Sequence, residues 1–481
     1  MKYSLAVMAA VSLWTFEGMA ETEISIYNQD LALIKKSQTL TLQQGVNEVI
    51  FDEVAAELKP ESAFVYGQGI RVLEQNYDYA GINYITMLNA NVGKEVKTVR
   101  QNPSTGANIF EKALLIAVDG VTPVLKFDYG IETAFNGRVL FDEIPAELNS
   151  TPILMARVEA AAAGDKKLSL AYLAGGFSWK ANYVAKVNDE KTLSLLGRAA
   201  VTNNSGSGYE NVSVNLIAGD VNTVQEYLAR PMLKTLGTNR VMAMDSFEAA
   251  PMIEAPVSLD SYYVYKIPEK TVLKNGQMKM VSFLNAPKVD YTKENVVNSS
   301  LYFGAARATY KDVHPSIKYH FINEKTIGLG IPLPRGKLSF YANDENGALQ
   351  FIGEDSIANT AEGQKVSVSL GKAFDIYADG EIEKVTEVSR STYKKNPKQD
   401  CLTGATVYRY DVRYHVVNKG KHDAHIVLNQ PLNGQAKIID ESLKGQNGEN
   451  NSYEWKFELK SGTDKTINVQ VENTLETKEC N

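Results

Sequence analysis

The chain has 481 residues, a formal charge of −7 and 44% apolar side chains, which is ample for a substantial core. An acidic chain without a basic run repels phosphate backbones, which argues against nucleic acid as a partner. No CxxC pair, HExxH helix or nucleophile elbow is present, so no catalytic, cofactor or metal motif can be assigned.

Residues 1–20 read as an export signal. Lys2 supplies the positive start, Ser4 to Phe16 form an apolar stretch too short to span a bilayer, and Gly18 and Ala20 place small residues at a cleavage site. This predicts a mature chain beginning at Glu21, at the periplasm or cell surface. No later run reaches the ~18 apolar residues of a membrane helix. Beyond the leader, three β domains are expected: 21–150, 151–375 and 376–481.

In the first domain, Ile24 to Tyr27 and Leu31 to Ile34 predict an antiparallel pair across Asn28-Gln-Asp30. Thr39 to Gly45 and Val46 to Phe51 are expected to continue it, with Gly45 as the turn. Phe51 to Leu58, ahead of Pro60, carries a weak helical signal. Between 93 and 145, short runs at Ala113 to Val118, Val124 to Tyr129 and Arg138 to Phe141 alternate with Asp-Gly, Tyr-Gly and Asn-Gly turns. They predict five short strands in a small barrel-like unit.

From Ile153 the strands lengthen: Lys167 to Tyr172, Ala181 to Val187, Leu193 to Val201 and Val212 to Ile217, with Asn203 to Gly208 as a loop. The period fails across 221–259, rich in Met, Ala and Pro, which reads as a mobile insertion. Strands resume at Tyr262 to Tyr265. The clearest strand is Tyr408-Arg-Tyr-Asp-Val-Arg-Tyr-His-Val416, whose apolar and polar residues strictly alternate. If Asn418-Lys-Gly420 is a hairpin loop, His415 faces Asp423 and His425 faces Arg413. Ser452 to Leu459 and Thr466 to Val471 form a last pair around Ser461 to Asp464. The fold class is all-β: tandem antiparallel β-sandwich domains with the small barrel-like unit inserted near the N-terminus.

Few residues suggest chemistry. His415, His422 and His425 cluster, but imidazoles beside a cation make a poor zinc site. Gly330 to Lys337 has the wrong spacing for a phosphate loop and reads as a proline-stiffened entry to the strand Lys337 to Tyr341. Glu354 and Asp355, adjacent in sequence, point to opposite sides of a strand and read as a solvated turn rather than an acid–base pair. Tyr77, Tyr79, Tyr84, Tyr262, Tyr263 and Tyr265 offer flat faces to sugar rings, although cross-strand packing uses the same residues. In an exported chain, Cys401 and Cys480 are expected to form one disulfide.

Several stretches resemble one family. They are Gly175-Gly-Phe-Ser-Trp-Lys-Ala-Asn-Tyr183, Val201 to Gly206, Leu216 to Asn222, Gly328 to Lys337, Gly347 to Asp355 and Leu370 to Asp375. The chain resembles exported bacterial proteins grouped under a domain of unknown function, akin to the C-terminal part of mucoidy inhibitor A-like proteins. The resemblance implies a β-rich envelope protein and transfers no catalytic residue. The expected function is non-enzymatic binding of an envelope protein or glycan. The alternatives are a hydrolase of envelope polysaccharide or peptidoglycan, whose carboxylates converge only in the fold, and a structural surface scaffold.

Overall fold

A computed structural model describes residues 21–78, 82–145, 148, 152–219, 221–222, 256–325, 329–391, 394–395 and 401–480. Strands dominate them, as the alternation predicts, and no helix among them is long and apolar enough to cross a membrane. The leader, and 223–255 of the expected insertion, lie outside the described residues. The end of that insertion is ordered as a strand, Val257–Leu259, which forms a hairpin with Tyr262–Lys266. Asp260 turns it at φ +53°, in the left-handed region that Asp tolerates.

The chain forms two compact units. The first comprises 1–180 and 199–281, the second 181–198 and 282–481. An eight-stranded sheet organises the first unit. Its order is Val257–Leu259, Tyr262–Lys266, Tyr209–Ala218, Glu21–Tyr27, Ala32–Leu42, Gly164–Ala174 and Phe64–Gly67, with Thr271–Leu273 also paired to Tyr209–Ala218. The expected pair across Asn28 to Asp30 is present, with Asp30 at φ +49°. Ile24, Ile26, Ile34, Leu168, Leu170 and Leu216 from neighbouring strands are fully buried on one face. At roughly 1.5–3 kcal/mol for each large apolar side chain removed from water, this face drives the sheet's formation.

Gly45 is a turn residue, at φ +98°, but the strands it joins do not pair. Gly45–Phe51 enters a separate three-stranded sheet beside Ile153–Ala160, with Ile70–Asp78 on the other side. Phe51 to Leu58 forms no helix. Val54 and Ala55 are fully buried, and the Ala55 N–H donates to the Tyr172 hydroxyl at 3.1 Å, a tertiary bond that outcompetes a local turn. The α-helix of this region is Tyr84–Ala90, opened by an Asn83–Thr86 capping box that sequence reading overlooked.

The five strands expected between 93 and 145 exist, but they form an open sheet, not a barrel. Its order is Arg138–Leu140, Glu95–Gln101, Asn108–Asp119, Thr122–Phe127 and Gly130–Glu132. Strands of three residues at both ends present too few groups to close a cylinder. One face packs Leu115, Leu125, Phe127 and Val96 against Leu88 of the helix.

In the second unit two six-stranded sheets carry most of the core. One has the order Lys365–Lys372, Ser316–Ile322, Thr292–Asn298, Ala424–Pro431, Ser452–Leu459 and Gln446–Asn447. The other runs Thr309–Val313, Ile376–Arg390, Cys401–Asn418, Asp464–Cys480 and Lys437–Glu441, with Lys394–Lys395 off its path. Tyr410, Val412, Tyr414 and Val416 from the second pack with Ile426, Leu428 and Trp455 from the first. Two expected hairpins are corrected here. Cys401–Asn418 and Ala424–Pro431 are not partners, and neither are Ser452–Leu459 and Asp464–Cys480. Each connection crosses between sheets. Asn418 holds the crossing: its Nδ2 donates to the carbonyls of His422, Leu459 and Lys460 at 2.9, 3.2 and 3.3 Å. Beside them, Gly336–Asn343 and Leu349–Ile357 run as an antiparallel pair, with Gly336–Asn343 parallel to Phe177–Val187.

Candidate functional site

The buried face of the eight-stranded sheet has an outward counterpart with a different character. Register sets Tyr66, Ser169 and Ser37 in one row across three strands, and Phe64, Ala171, Lys35 and Glu23 in the next. A third row adds Ser25 and Asn215. Phe64 and Tyr66 are 53% and 42% exposed, and their rings stack at 5.5 Å between centroids with planes 28° apart. They make an aromatic wall on the last strand of the sheet. Gly67 lets that strand lie close to its neighbour, since a Cβ there would come within 2.7 Å of the Leu168 side chain and 2.9 Å of the Lys167 carbonyl.

Beside the wall, Ser37, Ser169 and Ala171 are buried. The Ser37 and Ser169 hydroxyls meet at 2.8 Å, and Asn215 Nδ2 donates to Glu23 Oε1 at 2.8 Å. Lys35 lies 4.0 Å from Glu23, with both side chains nearly half exposed. Ring faces carry negative charge density that attracts polarised C–H groups, while hydroxyl, amide and carboxylate groups suit ligand hydroxyls. The accessible patch of this face is therefore the two rings with Lys35 and Glu23. Sequence reading missed it, although Phe64-Val-Tyr66 shows two aromatics at the same-face spacing of a strand.

In the second unit, the outward face of one six-stranded sheet carries His320, in register with Thr292 on one side and Ser367 on the other. The imidazole is buried and its Nε2 lies 3.0 Å from Glu294 Oε2. Burial, helped by Lys365, pushes its pKa below the ordinary value, so the ring is neutral at neutral pH. A neutral ring facing a carboxylate donates through Nε2 and leaves Nδ1 as an acceptor, here buried and unbonded. The pair carries no assigned reaction.

The sequence-derived candidates disperse in the fold. His415 Nε2 lies 3.0 Å from Asp464, while His422 and His425 are exposed on a different course of the chain. Neither expected pairing occurs: His415 opposes Asp379 and Thr466, and His425 opposes Glu458. Among the described residues no cluster of three or more His, Cys, Asp or Glu side chains can hold a metal.

Glu354 and Asp355 sit on a strand, not in a turn. Glu354 reaches Lys337 at 3.0 Å, whereas Asp355 accepts from the Ser369 N–H at 2.8 Å. Gly330 to Lys337 is the strand entry expected. Tyr183 donates to the Pro334 carbonyl at 2.7 Å, and the Gly330 N–H donates to Asn323 Oδ1. Of the tyrosines, Tyr265 is buried against Trp179, Tyr77 is partly buried with its hydroxyl near the Ala56 carbonyl, and Tyr262 and Tyr263 are half-buried. Tyr84 is exposed at the start of the helix, and Tyr79 lies outside the described residues. An open hollow of about 520 Å³ beside Arg71 and Glu159 has its charges closed on each other at 2.6 Å. Cys401 and Cys480 are opposed in the backbone register of their strands.

The family stretches have structural roles. In Gly175 to Tyr183, Gly176 adopts φ +80°, and a Cβ there would fall 2.5 Å from the Ser205 Cα. Phe177, Trp179, Ala181 and Tyr183 then alternate into the core. The loop at Asn203 to Gly208 is itself buried at Asn203 and Ser205, tied by Asn203 Nδ2 to the Leu273 carbonyl.

No curated protein matches the chain. The model of a domain of unknown function (DUF4139) matches residues 168–475, and the aromatic wall and the five-stranded sheet precede that span. With more than half of its length in that match, the chain belongs to the DUF4139 family.

Proposed function

We propose that this protein is exported to the bacterial envelope and binds glycan there without chemical turnover, using the outward face of its eight-stranded sheet. One observation carries the reading: the exposed Phe64–Tyr66 stack shares its face with the half-exposed Lys35 and Glu23. The order of charge, apolar run and small residues in 1–20 supports export, as does the resemblance to mucoidy inhibitor A-like proteins. Calorimetric titration with soluble peptidoglycan fragments and capsular oligosaccharides tests it. Binding should fall at least about tenfold in Phe64→Ala/Tyr66→Ala, given 1–3 kcal/mol for stacking on an aromatic. Undiminished binding in that variant removes the platform, and release of shortened products replaces binding with hydrolysis.

Export also carries the Cys401–Cys480 disulfide. The Asn418 N–H donates to the Thr463 carbonyl at 2.9 Å, and the register runs unbroken from that pair to Cys401 opposite Cys480. Hydrogen-bonded and open pairs alternate along an antiparallel ladder, so the cysteines fall at an open pair, where Cα atoms lie about 4.5 Å apart. That separation is within disulfide range. The two thiols lose two protons and two electrons to the disulfide of an oxidoreductase, joining Sγ to Sγ. Peptide mapping of protein purified from the envelope should yield the linked pair, with a stabilisation of about 4–5 kcal/mol before strain. Two alkylatable thiols in that material would refute it.

A further inference from the structure

The five-stranded sheet of the first unit turns a mixed apolar and basic face outward. Core residues Val96, Ala113, Leu115, Leu125 and Phe127 take its inner side. On the outer side, register forms three rows: Glu95, Leu114, Lys126 and Ile131; then Leu140, Lys97 and Lys112; then Arg138, Val99 and Phe110. Phe110 and Ile131 are 65% and 61% exposed, and Leu114 and Leu140 are exposed as well. A sheet with one solvated face ordinarily turns polar residues to water. Here five of the ten outer residues in these rows are apolar, and four of those are exposed between cations.

Charge indicates what it meets. These three rows hold four cations and one carboxylate. Glu95 is engaged by Lys112 at 2.6 Å, and Lys97 by Asp142 at 2.7 Å. Lys126 and Arg138 enter no ion pair among the described residues. The whole chain is acidic, at −7, so this local surplus of cations runs against its composition. The cations are interleaved with the apolar side chains rather than set apart. Long basic side chains in that arrangement lay their alkyl stems along apolar surface and hold their charge at its edge, as interfacial elements do at phospholipid headgroups.

We propose that this face seats on an anionic phospholipid surface. Phe110, Leu114 and Ile131 enter the headgroup boundary, and Lys126 and Arg138 meet lipid phosphates. This inference does not depend on glycan binding, because it uses other residues.

Co-sedimentation of the whole mature protein with phosphatidylglycerol–phosphatidylcholine vesicles tests it, with pure phosphatidylcholine as the comparison. Binding should appear on the anionic vesicles only and weaken as salt is raised. Phe110→Ser/Ile131→Ser should abolish it. Lys126→Glu/Arg138→Glu should lower affinity on the order of 30-fold or more, from about 1 kcal/mol per basic residue near the surface. Phe64→Ala/Tyr66→Ala should leave it unchanged. Far-ultraviolet circular dichroism identifies any variant that fails to fold, and Phe110→Thr, which keeps a strand-forming residue, then repeats the apolar test. Three results overturn the proposal: no binding to anionic vesicles, equal binding by folded variants, or a wild-type dimer in sedimentation velocity that Phe110→Ser/Ile131→Ser dissolves. The last would make the face a contact between copies.

Discussion

The five-stranded sheet of the first unit and the paired six-stranded sheets of the second solve the same problem in opposite ways. In the small sheet, strands from Glu95–Gln101 to Gly130–Glu132 each pair with the next in sequence, and only Arg138–Leu140 returns to the other edge. Short loops close such pairs at little entropic cost, and a core of eight buried residues suffices. In the second unit the chain changes sheets at successive connections. Cys401–Asn418 finds its partners at Ile376–Arg390 and Asp464–Cys480, while Ala424–Pro431, Gln446–Asn447 and Ser452–Leu459, which lie between in the chain, belong to the facing sheet. Those contacts become favourable only once the two sheets meet, so they need a far larger apolar interior. Local closure leaves a sheet with a face to spare; crossing between sheets uses inner faces up against each other.

That contrast is sharpest at Trp455. It is fully buried, 5.4 Å from the Tyr414 ring, and its Nε1 donates to Glu441 Oε2 at 2.9 Å. Trp455→Ala should cost about 3–5 kcal/mol in denaturant unfolding. It should lower amide-exchange protection in the strands of both six-stranded sheets together. Leu115→Ala, in the small sheet, should release protection only between residues 95 and 140. Equal loss in both regions from either variant would break the distinction between local and long-range closure.

A smaller effect tests the crossing itself. Asn418 Nδ2 serves three carbonyls and its Oδ1 accepts from the Gly420 N–H at 2.9 Å, with the residue 1% exposed. Asn418→Ala orphans these groups and should cost about 1–3 kcal/mol, read as a lower denaturant midpoint at unchanged slope. Asn418→Asp keeps the acceptor and loses the donors, so it should lose nearly as much. A midpoint within error of wild type would show that the connection holds without its side chain.

Strand identity and facing were legible. Tyr408 to Val416 places Tyr410, Val412 and Tyr414 inside and Arg409 and Arg413 outside, as alternation requires. Pairing was not. Gly45, Asn418 to Gly420 and Ser461 to Asp464 all read as hairpin turns, yet each joins strands that lie in different sheets. A turn residue reports that the backbone reverses, not which sheet receives the next strand. The candidate sites were hidden for a related reason. Ser37, Ser169 and Phe64 lie far apart in the chain, and His320 with Glu294 carries no motif; only register unites them.

The chain's composition and two-residue period by themselves determined an all-β protein, because a side chain's direction along a strand depends only on its position in that strand. The tertiary structure alone decided which strands became neighbours, whether the small unit closed, and which outward residues came to share a surface. Those outcomes depend on burying faces contributed by distant segments, a free energy that no local stretch of sequence contains.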